Sequence, residues 1–249
     1  VRQDQLPKKA TKSRWVFDVK YKRDGTVDKF KARFVVCGYS QRQGVDYDRA
    51  FSATLRFVSF RVLLALAAFH SWKVEHIDVT SAFTQAAIDD VDIFVDPPVG
   101  FETYDKDGNV MLLKLKQALY GTKQASRLWQ ETLRKFLLEL GFKQSMADPC
   151  MYHIKTDLGI ILLGVYVDDI IVVRSNDRIF KWFWQKFSTR FRSKHLGLLD
   201  FYVGVEVDQH QDGSISMCQS KYIRNIADKF LTDFSQGAGV TRDVPHPAN

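Results

Sequence analysis

Leu163-Gly164-Val165-Tyr166-Val167-Asp168-Asp169-Ile170-Ile171-Val172-Val173 sets two adjacent carboxylates inside a run that is otherwise apolar and largely β-branched. The apolar stretches on either side read as two strands, within 160–173, broken only at the acids. Burying unpaired carboxylates is costly, and like charges side by side add repulsion. Something must offset that. A tight turn open to water would do so, because Asp is favoured in turns. A divalent metal ion would also do so, because Mg²⁺ prefers hard oxygen ligands and is often held by one or two carboxylates plus substrate phosphates.

A two-metal site for phosphoryl transfer needs a third carboxylate from another strand. Asp78 meets that need, interrupting His76-Ile77-Asp78-Val79 at the end of the short strand Val74–Val79. Asp18 interrupts a strand too, but on a basic hairpin, where it is expected to pair with a lysine. A third element is Ala118-Leu-Tyr-Gly121-Thr-Lys123-Gln124-Ala125-Ser126-Arg127-Leu-Trp129, a glycine loop that opens a long helix with basic and amide side chains. Such a helix start can meet phosphates and base edges. An ordinary capped helix explains the same residues.

Further out, Trp15–Tyr21 alternates, Arg23-Asp24-Gly25-Thr26 gives a turn and Phe30–Gly38 resumes as strand, so a β-hairpin is predicted. Lys20, Lys22, Lys31 and Arg33 can share one of its faces. Residues 58–70 have the length and Leu/Ala content of a buried helix, and Val110–Leu115 reads as strand. Residues 124–140 form an amphipathic helix with Gly141 at its end. Residues 177–191 repeat Ile179, Phe183, Phe187 and Phe191 at helical spacing, with Ser175 or Asn176 as cap. Phe201–Val207 and Ile215–Cys218 are strands, and Ser220–Leu231 is a last helix. Strands and helices mix without regular βαβ alternation, which predicts an α+β sheet with helices on one side.

Composition narrows the class. The 249 residues are 45% hydrophobic and 26% charged, ordinary for a folded domain and enough chain for a sizeable core. The three cysteines, Cys37, Cys150 and Cys218, lack CxxC spacing, which argues for a reducing compartment and against a disulfide framework or a zinc site. The six histidines show no metal-ligand spacing. No apolar run approaches a membrane span, and no signal segment opens the chain. A start at Val1 leads us to expect a piece of a longer product. Residues 1–49 carry 13 basic and six acidic residues, which accounts for the whole net charge of +7. A basic block of this kind suits a polyanion partner, or a lysine-rich sheet edge that resists aggregation.

Together these residues resemble the reverse transcriptase of copia-type LTR retrotransposons, from Trp15 to about Phe230. Lys31-Ala-Arg33-Phe-Val-Val-Cys-Gly38 resembles the family's KARLVAKG, and Gly44-Val45-Asp46-Tyr47 with Phe51-Ser52 resembles its GIDY and TFSP boxes. Asp78-Val79-Thr80-Ser81-Ala82-Phe83, Pro97-Pro98-Val99-Gly100-Phe101 and Leu119-Tyr120-Gly121-Thr122-Lys123-Gln124 are similar to further boxes. Tyr166-Val167-Asp168-Asp169 matches the YVDD box, and Leu196-Gly197 with Phe201-Tyr-Val-Gly204-Val-Glu206-Val resembles LGxLxxFLGIEV.

The resemblance implies an α+β right-hand polymerase fold, with an antiparallel palm sheet backed by helices. Residues 1–73 would be fingers, residues 74–215 palm with an interleaved fingers segment at about 90–122, and residues 216–249 the beginning of a thumb or connection. It implies RNA-directed DNA synthesis, adding dNTPs to a DNA primer on an RNA template. Two Mg²⁺ ions, for which Mn²⁺ can substitute, would be held by Asp78, Asp168 and Asp169. Lys31 and Arg33, with Lys20, would meet the triphosphate, Phe83 would exclude a 2′-OH, and Gln124 would line the nascent pair. Gly121, Lys123, Arg127, Tyr166, Phe201, Tyr202 and Gly204 would follow template and primer. Lys194 would donate a proton to pyrophosphate, though an exposed salt-bridging Lys explains it equally. RNase H and integrase regions of the same polyprotein would be partners, in an intracellular setting: a cytoplasmic virus-like particle, the nucleus or both.

The chain departs from the family pattern at Ser126, Thr84, Ala86-Ala87 and Thr122. The alternative reading is therefore a decayed polymerase-like module that binds nucleic acid without chemistry. A nuclease would need a water-activating base near the acids, and none is evident in the sequence. A structural scaffold would predict that Asp168→Asn is neutral or stabilising, because relieving charge repulsion helps folding when no metal is bound.

Overall fold

A computed structural model describes residues 1–6, 9–21, 26–88 and 91–231. Its elements run β1 (Ser13–Tyr21), β2 (Val27–Val36), α1 (Phe57–Phe69), β3 (Lys73–Val79), β4 (Phe94–Val95), β5 (Leu113–Lys114), α2 (Ala125–Glu139), β6 (Lys143–Gln144), β7 (Met151–Thr156), β8 (Gly159–Tyr166), β9 (Asp169–Arg174), α3 (Asp177–Arg190), β10 (Ser193–Leu198), β11 (Phe201–Tyr202), β12 (Val205–Gln209), β13 (Ile215–Cys218) and α4 (Ser220–Leu231). It is a mixed α/β fold, and its named strand pairs are antiparallel. None of the described helices is long and apolar enough to cross a membrane.

The central sheet has the order β10-β3-β9-β8-β7-β6. Period-two alternation sends Ile77, Val79, Ile170, Val172, Leu163 and Val165 to one face, where Trp129, Leu133 and Leu137 of α2 and Phe183 and Phe187 of α3 cover them. The other face is not open. Val74, Ile171 and Val173 pack against Leu55 and against Phe60, Leu63, Leu64 and Ala67 of α1. The expectation of helices on one side is therefore corrected: α1 covers the second face. Ile170-Ile171-Val172-Val173, all four buried, is the unbroken apolar run expected of a strand covered on both sides. Gly164 makes room for this packing, since a Cβ there would lie 2.7 Å from Leu63 Cδ1 and 2.8 Å from Leu55 Cδ2.

Other expectations are adjusted. Val110–Leu115 contributes only the two residues of β5. Asn176, not Ser175, caps α3, its side chain accepting from Ile179 N. β10 was not foreseen: its SKHLGL sequence lacks β-branched residues, and its register shifts between His195 and Gly197 as in a bulged edge strand. The turn Asp24-Gly25, Lys22 and the tail 232–249 lie outside the described residues.

β1 and β2 form the basic hairpin. Lys20 lies opposite Lys29, Asp18 opposite Lys31 and Val16 opposite Arg33, so the cations share one face. Asp18 meets Arg33 at 3.9 Å, an arginine where a lysine was expected. The root of the hairpin is tied by Val36 N to Tyr120 O at 2.8 Å, and by Thr11 N to Phe94 O and Asp96 N to Thr11 O, both at 3.0 Å. Two glycines allow that contact. A Cβ on Gly38 would lie 2.0 Å from Gly121 O, and one on Gly121 2.0 Å from Val36 O. Gly121 also has φ +89°, a conformation costly for any other residue.

Gly121→Ala therefore combines backbone overlap with left-handed strain. It is expected to cost about 3 kcal/mol or more of folding stability, read as a fall in the urea midpoint. Gly44→Ala (φ +78°, open space) isolates the strain alone and should cost less.

Candidate active site

Three backbone placements bring the acids together. Asp78 is the penultimate residue of β3 and lies directly opposite Asp169, the first residue of β9. Tyr166 pairs with Asp169 across the hairpin, so the turn is Val167-Asp168 and Asp168 stands at its tip. The sequence placed the break at Asp168-Asp169; the observed turn lies one residue earlier. Val167 sits at φ +56°, a strained state for a β-branched residue. Two hydrogen bonds clamp it there: Trp129 Nε1 donates to Val167 O at 2.7 Å, and Val79 N donates to Asp168 O at 2.8 Å.

Asp78 and Asp168 line a cavity of about 390 Å³ whose other walls carry Lys20, Lys29, Lys31, Arg33, Tyr120 and Lys194. The acids are on β3 and the β8–β9 turn of the central sheet, and most of the cations are on the basic hairpin. Lys194 pairs in register with Asp78 from β10. Charge is unbalanced locally on both walls. Burial first, and then Asp169 and Asp78, push the Asp168 carboxyl above its usual range. Burial first, and then Arg33, Lys20 and Lys29, hold the Lys31 ammonium below its usual value, with Asp168 acting the other way. The acidic wall favours a cation and the basic wall an anion.

Asp169 does not line the cavity; its Oδ1 meets His76 Nε2 at 3.0 Å. Among the described residues, no three His, Cys, Asp or Glu side chains form a ready-made metal cluster. The donors that fit an ion are thus Asp78 and Asp168, two hard carboxylates that leave the rest of a shell to substrate oxygens. His76 was missed. The signal was period two: it precedes Asp78 by two residues and so shares its face.

The remaining expected residues are placed as follows. Phe83 is half-buried against the core, its ring 4.9 Å from that of Tyr120, and it does not line the cavity. Tyr120, also missed, does line it, inside the quoted Leu119-Tyr120-Gly121 box. Gln124 is 1% exposed. It donates to Asp46 O at 3.1 Å and accepts from Gln41 Nε2 at 3.3 Å, so it braces the loop behind Gly121. Gly121 and Lys123 are exposed beside the hairpin root. Arg127 donates to Arg49 O and pairs with Glu131 at 2.8 Å. Tyr166 is half-buried, Phe201 lies under Lys221 at 5.6 Å, and Tyr202 is buried. Gly204 completes a two-residue turn with Val203, both at positive φ.

The departures at Thr122, Thr84 and Ala86 are locally accommodated. Thr122 Oγ1 donates to Leu119 O at 2.8 Å, and Thr84 Oγ1 donates to Ser81 O at 2.9 Å. Ala86 is fully buried, where a larger residue would not fit without repacking.

Residues 3–241 match the family model described as reverse transcriptase (RNA-dependent DNA polymerase). The chain is 36% identical over 213 residues to the retrovirus-related Pol polyprotein from transposon RE1 of Arabidopsis thaliana, covering 86% of this chain and 14% of that protein. It is 32% identical over 230 residues to the Pol polyprotein from transposon TNT 1-94 of Nicotiana tabacum, covering 91% of this chain and 17% of that protein. It is 28% identical over 194 residues to the transposon Ty1-DR4 Gag-Pol polyprotein of Saccharomyces cerevisiae, covering 77% and 11%. The chain thus spans about a sixth or less of these relatives.

The raised Asp168 carboxyl fixes the sign of a pH effect. A carboxyl whose folded pKa lies above its unfolded value favours folding while protonated, and that contribution is lost as pH rises through the folded value. Asp168→Asn should therefore raise the metal-free melting temperature at pH 7, by a gap that closes as pH falls through the carboxylate range. Added Mg²⁺ should stabilise the unsubstituted protein more than the variant, reversing the order.

Proposed function

The chain belongs to the reverse transcriptase family of copia-type retrotransposon Pol polyproteins, and we propose that its cavity carries out RNA-directed DNA synthesis, joining a dNTP to a primer 3′-OH. One observation carries this reading: Asp78 on β3 and Asp168 at the β8–β9 turn share a cavity with Lys31 and Arg33 on the basic hairpin. A triphosphate held with divalent ions needs both signs of charge in that arrangement. Reverse transcriptases of this family generally use divalent metal ions, and the two carboxylates fit Mg²⁺ or Mn²⁺ as hard oxygen donors. When bound, two ions would lower the pKa of the 3′-OH and neutralise charge developing on the phosphates.

The chain's own residues do the positioning. Lys31 and Arg33 grip phosphate oxygens, with Lys20 and Lys29 adding to the field. Lys194, beside Asp78, supplies the proton that leaves with pyrophosphate. Tyr120 presents the ring that meets the incoming nucleotide, and Phe83 backs it, so exclusion of a 2′-OH falls to the pair. Asp169, held by His76, supports the site from behind. Gly121 and Lys123 follow the template, while Tyr166, Phe201 and Gly204 follow the primer. On this reading the basic hairpin is fingers, the central sheet is palm, and α4 begins the thumb. RNase H and integrase regions belong to the longer polyprotein, as partners of this domain.

The test is primer extension on an oligo(dT)-primed RNA template with Mg²⁺ or Mn²⁺. Incorporation of dTTP is expected, falling to background in Asp168→Asn. Lys31→Ala should raise the KM for dTTP about tenfold or more, the weight of a charge-assisted contact. Duplex affinity should fall steeply with salt. A flat salt response, or incorporation that survives Asp168→Asn, overturns the reading.

A further inference from the structure

Tyr202 carries the one buried side-chain polar atom that lacks a hydrogen-bond partner among the described residues. The residue is 4% exposed. Its ring packs 4.7 Å from that of Phe60 and meets Tyr166 edge-on at 6.3 Å. Tyr166 is the residue directly opposite Asp169. Burial holds the phenol pKa up, and Asp169 is the charge that raises it most. The hydroxyl therefore keeps its proton and is available as a donor, in the cluster that holds Tyr166, the cross-strand neighbour of Asp169. His76 occupies only one oxygen of that carboxylate, Oδ1, in the hydrogen bond at 3.0 Å.

Resting on the function proposed above, we infer that Tyr202 is a positioning residue for Asp169: with metal bound, its hydroxyl donates to the second carboxylate oxygen while His76 keeps the first. The orientation that Asp169 presents towards Asp78 is then set from both sides. This would link the β11–β12 segment to the acidic centre through one proton donor. Outer hydrogen bonds that orient a metal site commonly change metal affinity by an order of magnitude.

The experiment measures Mn²⁺ binding by the decrease of the free-ion EPR signal, with melting temperature recorded on the same metal-free samples. Tyr202→Phe should weaken Mn²⁺ binding about tenfold. Its metal-free melting temperature should stay the same or rise, because an unmet buried hydroxyl has been removed. In an Asp169→Asn background, Tyr202→Phe should have no further effect on Mn²⁺ binding. Unchanged affinity in the first background overturns the inference, as does an equal loss in the second. A drop of several degrees in the metal-free protein also overturns it, because the hydroxyl would then be partnered without metal. If the unsubstituted protein binds no Mn²⁺ and extends no primer, the proposed function falls as well; normal binding and extension with a silent Tyr202→Phe removes this inference alone.

Discussion

Asp78 and Asp169 face each other across a β-ladder, held by backbone pairing that does not depend on their charge. Residues opposite one another in antiparallel strands have Cβ atoms about 5 Å apart. Two carboxylates there repel, and Asp168 at the adjoining turn adds a third. The β8–β9 hairpin holds this arrangement because its own strands are buried on both faces. Trp129 of α2 and Val79 of β3 each donate a hydrogen bond that fixes the turn backbone. The fold thus concentrates negative charge and uses its core to keep it in place.

The opposite wall is assembled in a different way. The cations of the basic hairpin reach the cavity because its root is fixed where Gly38 and Gly121 come together. Main-chain hydrogen bonds set that contact, Val36 and Phe34 pack beside it against Ile93, Val95 and Leu119, and the cationic face is left free to line the cavity. Gln124 and Gln41 support it from inside, where a buried amide pair also satisfies the loop through Asp46. Acids and bases therefore sit on separately anchored pieces of the chain.

Most of this was legible in the sequence where a pattern was strong. The interrupted apolar run identified the hairpin, helix periodicity gave α2 and α3, and Asp78 stood out within its strand. What escaped were features that depend on three-dimensional partners. β10 has the composition of a loop and is a strand only because β3 offers an edge. Two-faced burial of the sheet was readable from four consecutive apolar residues in β9, yet the helix that covers the second face lies 100 residues earlier. Gln124 looked like a ligand because it is polar beside a glycine loop, and that polarity serves the interior. His76 and Tyr120 were visible as neighbours of the quoted boxes, but only the strand register and the cavity wall give them a place.

The order of strands in the central sheet has a consequence for how the molecule is made. β3 lies between β9 and β10, segments that follow it by roughly 90 to 120 residues. Contacts this distant in sequence close late and slow folding. During synthesis, which adds about 5–20 residues per second, Asp78 leaves the ribosome several seconds before its neighbours. A nascent or prematurely ended chain therefore lacks the acidic centre altogether, whatever the state of the hairpin at its start. The cationic and acidic walls of the cavity are therefore completed at different times in the life of one polypeptide, the basic hairpin first and the acidic centre last.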